Sequence, residues 1–165
     1  MKKLIAIALA ILTMVSMLAA CGSKDKKSSV DLSDVLSDIN EEYGFSESTV
    51  QGLKILDSFE DIDRNYNISE DDISQFAAER GSSRENKLEI VILEAKSADK
   101  VDAIADELRT TLQREQSDAR SYFIEQPEII AVFDNAVVKT SGNYVYMVIN
   151  AKSDEISSMI ENKLK

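Results

Sequence analysis

The sequence contains no histidine and no tryptophan, and it has a single cysteine and a single proline. Without histidine, a Ser-His-Asp triad and a histidine-liganded zinc are excluded, as is the commonest general base of enzymes. With Cys21 as its sole thiol, this sequence cannot form a disulfide within itself. The available chemistry therefore comes from carboxylates, hydroxyls, amides and basic side chains.

The first twenty residues have the pattern of an export signal. Two lysines form a short basic start, residues 4–18 are largely apolar, and small residues lead to Cys21. As a helix, the apolar stretch would rise about 22 Å, which is short of the roughly 30 Å hydrocarbon core of a bilayer. The sequence therefore predicts a signal peptide over residues 1–20 that is cleaved. An uncleaved signal anchor and a plain secreted protein are the alternatives.

The end of this segment, Leu18-Ala19-Ala20-Cys21, resembles the bacterial lipobox at all four positions. The resemblance implies that the Cys21 sulfur carries a diacylglyceryl thioether and that the mature chain begins at Cys21. Two acyl chains give a stable anchor where one gives only marginal binding. We therefore expect a lipoprotein that contacts the membrane through the lipid on Cys21 and lies on the extracytoplasmic face of the cell membrane.

Composition changes after the lipobox. Residues 22–29 contain no apolar side chain, which predicts a polar tether over residues 21–29. Residues 30–165 suit one domain, and they contain 14 basic and 29 acidic residues, a net charge of −15. A nucleic-acid binder needs a basic footprint, so this class is excluded. The acidic surface favours a cation, a basic partner or no partner.

Hydrophobic periodicity predicts several helices. Residues 31–43 have apolar positions three and four apart and stop at Gly44, and residues 53–59 suggest a second helical piece. A capping-box pattern at Ser69 predicts a helix that buries Ile73, Phe76 and Ala77 and ends at Gly81. A long helix is predicted to begin at a Ser97 cap and to run to about Ala119, and a last helix to begin at a Ser153 cap, with a short apolar turn or helix at 128–133.

Strand signals are concentrated in the second half. Residues 88–95 are rich in branched side chains on both faces, as in a central strand. Residues 136–139 and 144–150 flank a turn in which Gly142 and Asn143 can supply positive φ, so they predict a hairpin. The order of elements predicts an α+β fold: a small sheet of at least three strands with helices packed on one face.

The lipobox, the polar tether, the strand LEIVILEAK, the long charged helix and the segment NAVVKTSGNYVYMVI together resemble domain-of-unknown-function family 4358, found in Gram-positive lipoproteins. The resemblance extends over about residues 32–164. It implies location and fold, and it carries no activity and no catalytic residues.

One segment resembles an EF-hand calcium loop. Oxygen-bearing side chains stand at the ligand positions, which are Asp61, Asp63, Asn65, Asn67, Ser69 and Asp72. Tyr66 stands where the loop normally has glycine, and an aspartate replaces the closing glutamate. The sequence therefore offers calcium as a possible ligand, and the alternative is an acidic loop that ends in a capped helix.

Three functions stay open at the sequence level. The leading hypothesis is a non-enzymatic surface lipoprotein whose domain binds an envelope protein or a small ligand, without a resident cofactor. The second is a calcium-responsive module that uses residues 61–72. The third is a carboxylate-dependent hydrolase, which would require two carboxylates about 5 to 10 Å apart in a cleft.

Overall fold

The computed structural model describes residues 30–84 and 86–165. In that part of the chain, five antiparallel strands form one sheet in the order β1-β2-β3-β5-β4. The strands are β1 (Lys54–Leu56), β2 (Ile73–Arg80), β3 (Glu89–Ala95), β4 (Val137–Ser141) and β5 (Tyr144–Ile149). The helices are α1 (Leu32–Tyr43), α2 (Phe59–Tyr66), α3 (Val101–Tyr122), α4 (Pro127–Asp134) and α5 (Ser153–Lys163). The predicted α+β class and the sheet of at least three strands are confirmed.

Helices cover both faces of the sheet rather than one. Side chains of β3 and β5 alternate between two hydrophobic clusters, with Leu93 and Met147 in one and Ile92 and Tyr146 in the other. Helices α2, α3 and α4 pack on the first side, named here the α3 face, and α1 and α5 pack on the second, named the α1 face. Two apolar faces on the central strands require two covering layers, since each face must be removed from water.

The described chain enters the domain beside one end of β2. The Gln75 side chain donates a hydrogen bond from Nε2 to the Val30 carbonyl oxygen at 2.9 Å, and its Oε1 accepts one from the Leu32 amide at 3.2 Å. Helix α1 begins after Asp31, whose carboxylate accepts a bond from the Ser33 amide, and ends at Gly44 with φ of +68°. The predicted first helix and its glycine stop are thus observed.

The helix predicted from Ser69 to Gly81 is wrong, because this segment is strand β2. It pairs with β3 over most of its length and with β1 at its end, and Ile73 and Ala78 pack on the α3 face. The Ser69 hydroxyl accepts a bond from the Asp71 amide, so it closes a turn and caps no helix. Pairing with two strands supplies the backbone partners of this segment and overrides its local helical preference.

The second helical piece also differs from its prediction. Residues 54–56 form the short edge strand β1, and the helix begins only at Phe59, after the N-cap Ser58. The hairpin is observed with a shorter turn than predicted, because β4 continues to Ser141. Gly142 supplies the positive φ, at +58°, and Asn143 does not. The long helix, the short apolar helix and the last helix are all present.

The signal peptide over residues 1–20, the lipobox and the tether over residues 21–29 lie outside the described residues. Among the helices that the structure does describe, none combines the length and the hydropathy needed to cross a membrane.

Candidate functional site

The residues of the predicted calcium loop are spread over a helix, its cap and a turn. Asp61, Asp63 and Asn65 lie in α2, Asn67 is the C-cap of that helix, and Ser69 and Asp72 belong to the connection before β2. In a helix, residues two apart point in different directions, so the exposed Asp63 diverges from Asp61. An EF-hand requires an extended loop over these positions, and the first half of this one is helical.

Several oxygens of the same segment already accept hydrogen bonds or ion pairs. Asp61 contacts the Ser58 hydroxyl at 3.1 Å and Lys54 Nζ at 3.5 Å. Asp72 Oδ1 lies 2.8 Å from Lys100 Nζ. Within residues 30–84 and 86–165, no group of three or more acidic or cysteine side chains is placed to hold a metal. Calcium binding stays a prediction. Its test is whether calcium chloride raises the melting temperature of the domain.

Tyr66, which stands at the glycine position of the calcium pattern, is instead a core residue. Its side chain is buried, and its hydroxyl donates a hydrogen bond to Glu89 Oε1 at 2.9 Å. Burial raises the pKa of this hydroxyl, and the Glu89 carboxylate raises it further, so Tyr66 stays a protonated donor. The contact joins α2 to β3 at the end of the sheet where β2 finishes.

Around Glu89 lies a set of charged side chains, named here the β2–β3 charge cluster and consisting of Arg80, Lys87, Glu89 and Glu115. Lys87 Nζ is 2.8 Å from Glu89 and 3.3 Å from Glu115, and both Lys87 and Glu89 are buried. Arg80 stands opposite Glu89 in the strand register. Removing one partner of such a buried pair costs about 3–5 kcal/mol, since the other charge is left uncompensated.

Three members of this cluster, Arg80, Lys87 and Glu115, line a pocket on the α3 face. The cavity has a volume of about 390 Å³ and opens between the end of β2, the connection from β2 to β3 and the C-terminal half of α3. Its side-chain lining in the described chain is basic at Lys54, Arg80, Arg84 and Lys87, acidic at Glu115 and Asp118, and aromatic at Tyr122, Phe123 and Phe133. The volume is in the range of small-molecule sites.

At the rim of the pocket, two backbone segments, residues 50–52 and 81–82, lie close together. Gly81 packs so tightly that a Cβ would lie 2.8 Å from Val50 Cγ1, and Gly52 has a φ of +61°. The Gln51 carbonyl oxygen accepts bonds from both the amide and the hydroxyl of Ser82. A larger residue at either glycine would push the two segments of the rim apart. Both positions therefore require glycine, because the neighbouring chain segments lie so close.

An exposed cation and ring complete the mouth of the pocket. The Arg84 guanidinium carbon lies 4.4 Å from the centre of the Tyr122 ring, in cation–π geometry. Tyr122 is 62 % exposed, which is unusual for an aromatic side chain of this size. The ring is therefore available to a ligand as well as to Arg84.

Sequence reasoning missed this site. Its residues come from positions 52 to 133, and only the fold brings them together. One local signal was present: Lys87 and Glu89 are two residues apart, just before and at the start of a largely apolar strand. Charges at that spacing on a buried strand need partners across the sheet.

Comparison with known proteins gives one finding for this chain. A family model described as Domain of unknown function (DUF4358) matches residues 50–150. No curated protein and no solved structure matches. The matched range contains all five strands of the described sheet, helices α2 to α4 and every residue that lines the pocket.

Proposed function

Since the chain belongs to the DUF4358 family, whose description assigns no activity, we propose from its own residues that it is a non-enzymatic binding module at the cell envelope. The pocket on the α3 face carries this proposal. It combines a volume of about 390 Å³ with charged side chains held by the β2–β3 charge cluster and an exposed aromatic ring. Such a combination of apolar surface and a few fixed polar groups is typical of ligand sites.

A binding role is favoured over a hydrolytic one by the engagement of the carboxylates. Glu115 and Asp118 both line the pocket, and Glu115 already forms ion pairs with Lys87 at 3.3 Å and with Arg80 at 4.0 Å. A hydrolase needs one carboxyl that gives a proton and another that takes one or attacks. With no histidine in the sequence to replace them, these groups suit recognition better than proton transfer.

The binding test uses a residue at the mouth of the pocket. Asp118 is exposed on α3, so Asp118→Trp should place an indole in the opening without disturbing the core. We expect water-soluble compounds that bind the detergent-solubilised full chain to lose binding in this variant. Calorimetry measures the affinity, and a compound present at 100 times its Kd should stabilise the wild type by about 2.7 kcal/mol.

Asp106→Trp is the matched control, because Asp106 is exposed on the same helix and does not line the pocket. Its ion pair with Arg109 is on the surface and contributes little. Compounds that bind both tryptophan variants as well as the wild type would place recognition elsewhere and contradict the proposal, and so would a library without a single binder.

We also propose that the module is held at the extracytoplasmic face of the membrane by a lipid on Cys21. The lipobox residues and the polar tether support this, together with the length of the apolar segment before them. Cys21→Ala should release the chain into the culture fluid or leave it uncleaved in the membrane. Detergent partitioning and the mass of the N-terminal peptide measure the outcome, and an acylated, membrane-bound variant would refute the anchor.

A further inference from the structure

We propose that the ligand of the pocket is a small anion bearing a carboxylate or a phosphate, and that Arg80 and Arg84 bind it in competition with Glu115. This inference rests on the proposed binding function and names the chemistry of the ligand. It begins from charge. Of the 14 basic residues in residues 30–165, four line this one pocket, beside two acidic ones. The pocket lining therefore carries an excess of positive charge in a domain that is strongly acidic, although Glu89 and Asp61, which do not line it, pair with Lys87 and Lys54.

Arg80 is positioned but has donors to spare. Its Nη1 donates a hydrogen bond to Asn65 Oδ1 at 2.7 Å, which fixes the guanidinium against α2. Its Nη2 lies 3.8 Å from Glu89 and 4.0 Å from Glu115, distances too long for hydrogen bonds. The Nη2 protons thus have room for a closer acceptor at the pocket wall, and a planar guanidinium matches the two oxygens of a carboxylate or phosphate.

Arg84 offers a second cation at the mouth. Its guanidinium is stacked over Tyr122, and no ion pair joins it to a carboxylate among the described residues. Stacking on a ring leaves the in-plane N–H groups free, because cation–π contact uses the face of the guanidinium. An anion held between Arg80 and Arg84 would place the rest of its molecule against Tyr122.

Glu115 is the acidic group nearest to these donors. Its ion pairs at 3.3 Å and 4.0 Å are longer than a well-formed charged hydrogen bond. An incoming carboxylate or phosphate can take over the contact with Arg80 while Lys87 keeps its 2.8 Å pair with Glu89. Glu115 therefore lowers the affinity of the site for an anion, since its negative charge repels the negative charge of the ligand.

Calorimetry on the detergent-solubilised full chain tests this with four probes: benzoate, inorganic phosphate, neutral benzamide and cationic benzamidine. Benzoate or phosphate should bind, and whichever of them binds more tightly identifies the anion. Benzamide and benzamidine should bind at least tenfold more weakly than the preferred anion, which is about the loss expected for one missing charged hydrogen bond.

Variants then assign the residues. Arg84→Gln should weaken binding of the preferred anion about tenfold, and Glu115→Gln should strengthen it about three- to tenfold. Lys139→Gln is the control, since Lys139 forms its ion pair with Glu161 away from the pocket. Circular dichroism checks that each variant is folded, and Arg84 is exposed, so that variant stays informative even if Glu115→Gln unfolds.

Binding of benzamide or benzamidine more tightly than of the preferred anion would overturn the anion proposal, and so would weaker anion binding in Glu115→Gln. If such neutral or cationic compounds still lose binding in Asp118→Trp, the pocket binds a ligand of another class and only this inference fails. If no compound binds the pocket, the proposed function fails with it.

Discussion

At the scale of single residues, two buried carboxyl groups have opposite surroundings. Glu89, on the α3 face, contacts Tyr66 and Lys87 at 2.9 and 2.8 Å. Glu79, on the α1 face, is fully buried and accepts one hydrogen bond, from Asn40 Nδ2 at 2.8 Å. The other oxygen of Glu79 has neither a hydrogen bond nor an ion pair among the described residues, whereas Glu89 Oε2 has its ion pair with Lys87. A charge in the second setting is costly, because little offsets its lost hydration.

Glu79 should therefore make the domain less stable as pH rises. Burial raises the pKa of this carboxyl above its ordinary 4.5, against the opposing effect of the Asn40 bond. The folded state holds the proton to a higher pH than the unfolded chain, so the stabilisation from protonated Glu79 is fully present below about pH 4.5 and is lost as pH passes the folded pKa. Relative to Glu79→Gln, wild-type stability should fall by up to about 1.4 kcal/mol per pH unit across that window.

Urea unfolding of both proteins from acid to neutral pH measures this difference. Glu128→Gln serves as the control, because Glu128 is exposed and its substitution removes the same charge. A difference between wild type and Glu79→Gln that stays constant with pH, or that grows in the opposite direction, would contradict the expected titration.

At the scale of the elements, helix α2 ends in a way that constrains one residue. Asn67 has φ of 57° and ψ of 38°, and its amide donates to the Asp63 carbonyl oxygen at 2.8 Å. Asparagine tolerates this left-handed conformation better than other side chains, and glycine adopts it freely. Asn67, a ligand position in the calcium pattern, thus has a structural role, because the backbone at this cap favours asparagine or glycine.

Asn67→Val should lower the unfolding free energy by about 1–2 kcal/mol, since a branched side chain is strained at this φ. Asn67→Gly should change it by less than about 1 kcal/mol. Because Asn67 is exposed, loss of packing contributes little to either value. Urea denaturation compares the two variants, and equal stabilities would show that the cap conformation is not limiting.

The elements predicted correctly are those whose signals are local. Helix α1 has its apolar spacing and its glycine stop within one segment, and the β4–β5 hairpin has Gly142 at its turn. Strand β2 was predicted as a helix because the pattern that begins at Ser69 resembles a capping box and Ile73, Phe76 and Ala77 have helical spacing, whereas its pairing partners lie elsewhere in the sequence. The pocket was missed for the same reason, since Arg80 and Glu115 meet only after the sheet and α3 have packed.

At the scale of the whole molecule, charge of one sign dominates. The 29 acidic residues of residues 30–165 outnumber the basic ones by 15. Like charges crowded on a compact domain repel one another, and this repulsion is relieved on unfolding. The ion pairs on the surface, such as Lys139–Glu161 and Arg120–Asp134, offset only a small part of it.

Raising NaCl from about 10 mM to about 150 mM should therefore increase the Tm, because the screening length falls from about 30 Å to about 8 Å. Circular dichroism melting measures the shift, and a lower Tm in salt would mean that favourable ion pairs outweigh the repulsion. Calcium chloride at equal ionic strength provides a second comparison. An additional rise that is absent in Asp61→Ala would favour the calcium-responsive module, whereas equal curves would count against it.

The contact between Val30 and Gln75 has a consequence for how the domain stands on a membrane. The chain enters beside Gln75, and the pocket opens at Arg80, five residues further along the same strand and on the other face of the sheet. Five residues of strand span about 17 Å. With the anchor proposed on Cys21, the nine residues to Val30 reach at most about 30 Å, so the entry end of β2 stays within that distance of the bilayer and the pocket lies about 17 Å further along the strand. The anions proposed as ligands would reach this pocket from water, because a charged group is costly to transfer into hydrocarbon.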